Sequence, residues 1–163
     1  MSFLDATALF KDIAEKSIHI KDYVGPSITE LKDKMSSVDG IQSPFLCLFG
    51  YRGALQGNTQ RTANNKSLAF SILYSGIDSM NFYGQDEAVS SAETIGLKVI
   101  SRINILSKMP DIPWLYNNFD SNSVRYDQLR GEEAEGFYGM EFFFDLKIQE
   151  PLIVDPEDWS DGG

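Results

Sequence analysis

One stretch of this chain restricts its fold more than any other. From Tyr138 onward, Tyr138, Met140, Phe142, Phe144, Leu146 and Ile148 fall on one side of an alternating run, and Glu141, Asp145, Lys147 and Gln149 fall on the other. Side chains of an extended strand point to opposite faces in turn, so this pattern predicts a long strand over 138–148 with one face against a core. A slip of one residue would move the whole apolar set into water, so the pattern fixes register as well. Phe143, and Phe137 just ahead of the run, lie on the polar side. Exposed aromatics there would mark a surface covered by another subunit or by the long helix described next.

A strand with one apolar face needs a second layer. Ala88, Ala92, Ile95, Val99, Ile103 and Leu106 recur at three- and four-residue steps, which predicts an amphipathic helix over 86–108. Acidic residues fall in its expected first turn and Lys108 in its last, and Pro110 and Pro113 end it. Gly96 in its middle costs about 1 kcal/mol against alanine, which points to another backbone packed closely there.

Three further runs read as strands. Phe45 to Tyr51 is nearly continuous in apolar residues, as for a strand covered on both faces, and Leu68, Phe70, Ile72 and Tyr74 alternate as its partner. Val124, Tyr126 and Gln128 make a more modest strand. The residues between the first two, 52–66, read as a long polar loop, and a connection of that length in a compact domain is functional or mobile. Upstream, Phe3, Leu9, Phe10, Ile13 and Ala14 share a helical face from Phe3 to about Lys16, and Ser2 with Asp5 forms a capping box. Ser27 and Glu30 repeat that signature before Leu31 and Met35, with Gly40 placed to stop a second helix. Residues 17–24 read as a helix extension or a short strand. The expected class is α+β: N-terminal helices, then a mainly antiparallel sheet of about four strands with one long amphipathic helix packed on it. Residues 1–150 read as a single domain and 151–163 as an acidic tail with Trp159 as its one bulky anchor.

Charge and reactive groups narrow the function. The chain's net charge is −10, with 12 basic and 13 acidic side chains in residues 1–126 but 2 and 11 in residues 127–163. No uniformly basic face for nucleic acid is present, and scattered cations such as Arg52, Arg61 and Lys66 read as solvated surface. The one cysteine, Cys47, sits in the apolar run Phe45–Phe49 and reads as a small buried hydrophobe. The one histidine, His19, lies beside Lys21 and Asp22 in a different segment and reads as partly exposed. Structural zinc asks for several such ligands, and a serine triad would depend wholly on His19. The glycines at 50, 53 and 57 form no phosphate-binding motif. Glu141 and Asp145, four residues apart on one strand face, would stand roughly 13 Å apart, too far for an acid and base pair in glycoside hydrolysis. The acidic set Asp155, Glu157, Asp158 and Asp161 lacks the order of a calcium loop and reads as a solubilising tail. Aromatics crowded by Glu and Asp are poor platforms for phosphate-bearing strands. Neither a basic leader followed by an apolar core nor an apolar run near the roughly 20 residues of a membrane span is seen. The expected protein is soluble, not secreted and not an enzyme, with no cofactor or metal.

The order of elements, N-terminal helices, a strand pair with a long polar loop, a long helix, then a strand pair ending in Gly139-Met140-Glu141-Phe142-Phe143-Phe144-Asp145-Leu146, resembles the tail terminator and tail completion proteins of tailed bacteriophages and related contractile machines. The likeness covers most of residues 3–150 and is one of element order and size. It implies a structural virion component, a head-tail connector or tail subunit that oligomerises into a ring, a hexamer among the forms. Its partners would be copies of itself and tail tube, sheath or neck proteins, with no membrane and no sequence-specific nucleic acid. It would reside in the host cytoplasm during assembly and then in the virion. Contacts around a closed ring are heterologous, so two different surfaces must be complementary. The candidate contacts are Arg52, Gln56, Asn58, Arg61, Asn64 and Lys66 on the 52–66 segment, with Phe137 and Phe143 on the strand face. An alternative is a monomeric protein-binding adaptor that uses the 52–66 loop, and a third is an enzyme of unrecognised type.

Overall fold

A computed structural model describes residues 1–37, 40–57, 62–131, 136–150, 152, 155–158 and 160. Elements follow in the order α1 (Phe3–Lys16), β1 (Asp22–Val24), α2 (Ile28–Ser36), β2 (Phe45–Gln56), β3 (Ala63–Tyr74), α3 (Phe82–Leu106), β4 (Phe119–Gly131) and β5 (Phe137–Gln149), with a short 3-10 turn at Pro156–Asp158. The fold is α+β, with a mixed five-stranded sheet in the order β1-β2-β3-β5-β4. The additional strand is β1, which pairs parallel to β2. Residues 17–24 therefore divide, helix ending at Lys16 and strand beginning at Asp22.

Local signals account for the helix starts. Ser2 and Asp5 form the reciprocal capping box, Ser2 N–H donating to Asp5 Oδ2 at 2.6 Å and Asp5 N–H to Ser2 Oγ at 3.2 Å. Ser27 Oγ accepts from Glu30 N–H at 3.4 Å, but the Glu30 carboxylate turns back to accept from Gly25 N–H at 3.2 Å, so that cap is one-sided. Helix α3 begins four residues earlier than the periodicity indicates, with Asn81 as N-cap, and carries no acid in its first turn and no base in its last. The expected charge pattern fails because Asp86 and Lys108 lie outside those turns.

The β5 run forms as its alternation dictates. It pairs antiparallel with β3 in unbroken register from Ala63↔Gln149 to Tyr74↔Tyr138. Met140, Phe142, Phe144, Leu146 and Ile148 join Leu68, Phe70 and Ile72 of β3, and α1 and α3 close over them. Phe142 is fully buried and stacks on Phe70 with centroids 5.1 Å apart, and Tyr126 of β4 stacks on it from the other side at 5.4 Å. Full burial of such a ring is worth about 2 kcal/mol. Gly96 of α3 sits on this column: a Cβ there would come within 1.9 Å of Phe142 Cε2. The close neighbour that the glycine accommodates is a ring, not the second backbone the sequence suggested. On α1, Ala6, Leu9, Phe10, Ile13 and Ala14 face the core, while Phe3 is 43% exposed at the rim, edge-on to Tyr51.

Among the described residues, the opposite sheet face is covered only at one end. Phe45 and Leu73, paired across β2 and β3, alternate with the core-facing Leu46 and Ile72 and join Val24, Leu31 of α2, and Phe137 in a second cluster. The run 45–51 is thus covered on both faces at its start alone, since Phe49 is 43% exposed. The second cluster also changes the standing of Phe137, which is buried at 3% against Phe45 and is no surface contact. Met35 of α2 is exposed.

Candidate interaction surface

Strands β2 and β3 run well past their apolar parts. Their register continues from Arg52↔Ser67 through Gly53↔Lys66, Ala54↔Asn65 and Leu55↔Asn64 to Gln56↔Ala63. The segment expected to be a loop over 52–66 is therefore mostly the end of a long hairpin, with only 57–62 between the strands. Polar composition misled the reading because backbone pairing satisfies the N–H and C=O groups whatever the side chains are.

A β-bulge decides which side chains meet. The β2–β3 register shifts between Leu48 and Gly50, leaving Phe49 as the extra residue. Beyond it the alternation of β2 inverts, so Tyr51 turns to the helix side, its hydroxyl donating to Met1 C=O at 3.3 Å, and Arg52 turns to the open side. Gly50 allows the strand to close there, since a Cβ on it would lie 2.6 Å from Ala69 Cβ.

Beyond the reach of α2, the open face forms a shallow groove of about 650 Å³. Its centre is aromatic: Phe49 meets the half-buried Phe143 edge-on at 6.0 Å. Arg52, Arg125, Asp127, Glu141 and Asp145 surround that pair. Ser67 Oγ donates to Asp145 Oδ1 at 2.6 Å, and Asp145 N–H donates to Ser123 Oγ at 2.8 Å, which holds the carboxylate in place. Farther along, Lys147 Nζ lies 2.7 Å from Asp120 Oδ2. That hydrogen bond, helped by the Asn122 N–H, holds the Asp120 carboxyl below its ordinary range and raises the Lys147 ammonium. Asp120 precedes an irregular stretch of β4, whose register to β5 jumps between Asp120 and Arg125. An apolar centre ringed by charges of both signs matches the anatomy of a protein contact: rings to be desolvated, and a rim that sets orientation.

Of the eight residues singled out in the sequence, Arg52 and Phe143 come together in this groove. Gln56 is exposed at the far end of the same hairpin. Asn64 and Lys66 turn to the other side. Asn64 is buried and donates to the Glu150 carboxylate, and Lys66 Nζ sits over the Tyr51 ring at 5.4 Å. Phe137 is buried, as described above, and Asn58 and Arg61 lie outside the described residues, as do residues 132–135 and Trp159. Phe49, Arg125, Asp127, Glu141 and Asp145 are groove residues that sequence reasoning did not assign to a contact. The Phe49-Gly50 pair inside an apolar run was the available signal, because glycine in a strand marks a bulge.

The groups scrutinised for chemistry are apart. Cys47 is half-buried in the α2-side cluster, and burial, with the nearby Glu30 carboxylate second, pushes its thiol up to about 11. The same two causes in the same order raise the Tyr23 hydroxyl to about 12, with Cys47 as a third. A thiol so shifted is a poor nucleophile near neutral pH. Among the described residues no group of three His, Cys, Asp or Glu side chains gathers to hold a metal, and no helix is long and apolar enough to cross a membrane. No protein-family model matches this chain, and no curated protein matches it by sequence.

Proposed function

We propose that this protein is a non-enzymatic assembly subunit of the tail terminator or tail completion kind, which forms a ring and contacts tail tube, sheath or neck proteins. The observation that carries the reading is the half-covered sheet: α2 seals one end of the second face, and the rest exposes an aromatic pair within a charged rim. Covering Phe49 and Phe143 by a neighbouring subunit would remove apolar surface from water, at roughly 25 cal/mol per Å². The element order supports the resemblance drawn from the sequence, and the exposed end of β2, residues 52–56 at the sheet edge beyond β1, serves the subunit as an arm. A ring needs two complementary surfaces per copy, and the groove and the arm are the pair assigned here.

The test is the mass of the full chain in solution by sedimentation velocity, alone and mixed with isolated tail tubes. The expected result is a discrete oligomer, reduced to monomer by Phe143→Asp with Arg52→Glu while the circular dichroism spectrum stays unchanged. A strict monomer at every concentration in both settings would overturn the reading.

A further inference from the structure

On the other side of the molecule, α1, the 17–20 connection and α3 enclose a separate groove of about 390 Å³. Lys16, Lys98 and Arg102 line it beside His19 and Ser17, and among the described residues no carboxylate does. That is unusual in a chain with 24 acidic and 14 basic side chains. His19 Nε2 lies 2.8 Å from Lys98 Nζ, a contact that holds the lysine side chain at the groove. Lys16 is placed by Asp12, 2.6 Å away. Ile18 stands on the rim, 92% exposed, and Ile95 lies buried in the floor. The groove therefore favours a ligand with several carboxylates and an apolar side chain beside them.

The chain itself carries such a segment. After β5, Leu152 is followed by Asp155, Glu157, Asp158 and Asp161. Asp155, Glu157, Asp158 and Leu152 are all exposed, and none of these carboxylates forms an ion pair among the described residues. The segment leaves the sheet at the hairpin end, where Glu150 N–H donates to Thr62 C=O at 2.9 Å and Asn64 binds the Glu150 side chain.

We propose that the acidic segment 152–161 of a second copy docks in the Lys16–His19–Lys98–Arg102 groove, its carboxylates on the cations and Leu152 over Ile18. This goes beyond the assembly reading, since it needs a second copy but neither a ring nor the open sheet face. The contact is head-to-tail, with one groove and one segment per molecule, so copies can link in series.

A fluorescent peptide with the sequence of residues 150–163, titrated with the full chain and followed by anisotropy, tests it. Saturable binding is expected, weakening as salt rises from low to physiological strength. The Lys98→Glu, Arg102→Glu double variant should bind at least about ten-fold more weakly, with Lys98→Gln, Arg102→Gln in between. A peptide with Asn or Gln at the four acidic positions should lose binding. No saturable binding, equal affinity for the double variant, or equal affinity for a scrambled peptide of the same composition would overturn the proposal. Phe143→Asp separates the two readings: it should abolish groove-face assembly and leave peptide affinity unchanged.

Discussion

The two faces of one sheet have different fates, and neighbouring residues of β5 show it. Phe142 points to the helix side, where α1 and α3 seal it completely and rings stack on both its sides. Phe143 points the other way, half-buried, against Phe49 in a groove that none of the described helices covers. The residue type is the same and the backbone continuous. What differs is the covering layer, so the cost of placing a charge at each position differs as well. A sealed face holds the fold together, whereas an uncovered aromatic face is free to contact something else.

The largest expected effect breaks this contrast if it fails. Phe142→Asp buries a carboxylate without a partner and should abolish folding, whereas Phe143→Asp, able to reach water, should cost about 1 kcal/mol or less. Equal melting behaviour of the two variants, or a soluble cooperative product from the first, would show that the faces are not distinct. Next in size is Gly96→Ala, which drives a methyl into the Phe142 ring and should destabilise by about 1–3 kcal/mol in urea titration. A neutral or stabilising result, as helix propensity alone would give, would mean the ring moves aside freely. Shortening Gln56–Asn65 sharpens the comparison along the hairpin. Loop entropy alone predicts almost no change. The observed pairing and the buried Asn64–Glu150 contact instead predict a loss of about 1–3 kcal/mol, read by thermal melting.

The smallest effect lies at the end of α1. The Ser2 backbone N–H, then the Ser2 hydroxyl, hold the Asp5 carboxyl below its ordinary value. A folded pKa that is depressed contributes stability above the unfolded aspartate value, and that contribution is lost as pH falls through the folded one. Asp5→Asn should therefore lose that slight contribution at neutral pH and leave stability at acid pH nearly unchanged, which flattens the acid-range profile. An unaltered acid profile would remove the capping role.

Most of the fold was legible because its strongest periods are long. The alternation over 138–148 and the helical repeat over 88–106 each bury one face, and both formed as read. The second face was much less legible. A strand of three residues such as β1 carries no period, and the bulge at Phe49 depends on how β2 meets β3. Phe137 shows the same limit from another side. By alternation it belongs with Phe143, and it does share that face, but α2 and Phe45 lie over it and not over Phe143. Of the groove, Arg52 and Phe143 were anticipated, but on the expectation that Arg52 belonged to a loop. That the hairpin is paired to Gln56↔Ala63 is a property of two backbones, which side-chain polarity does not report.

The sequence by itself determined that residues 138–148 are extended, that their apolar side must be covered, and that a long helix is the cover, because periodic burial is a local property of side-chain spacing. Only the tertiary structure decided which half of the opposite face stays open. It also brought Arg52 to Phe143 and set the cations of α1 and α3 around one groove. Those outcomes depend on register and on the placement of α2 between segments distant in the chain, and free energies of contact that no single segment carries choose between them.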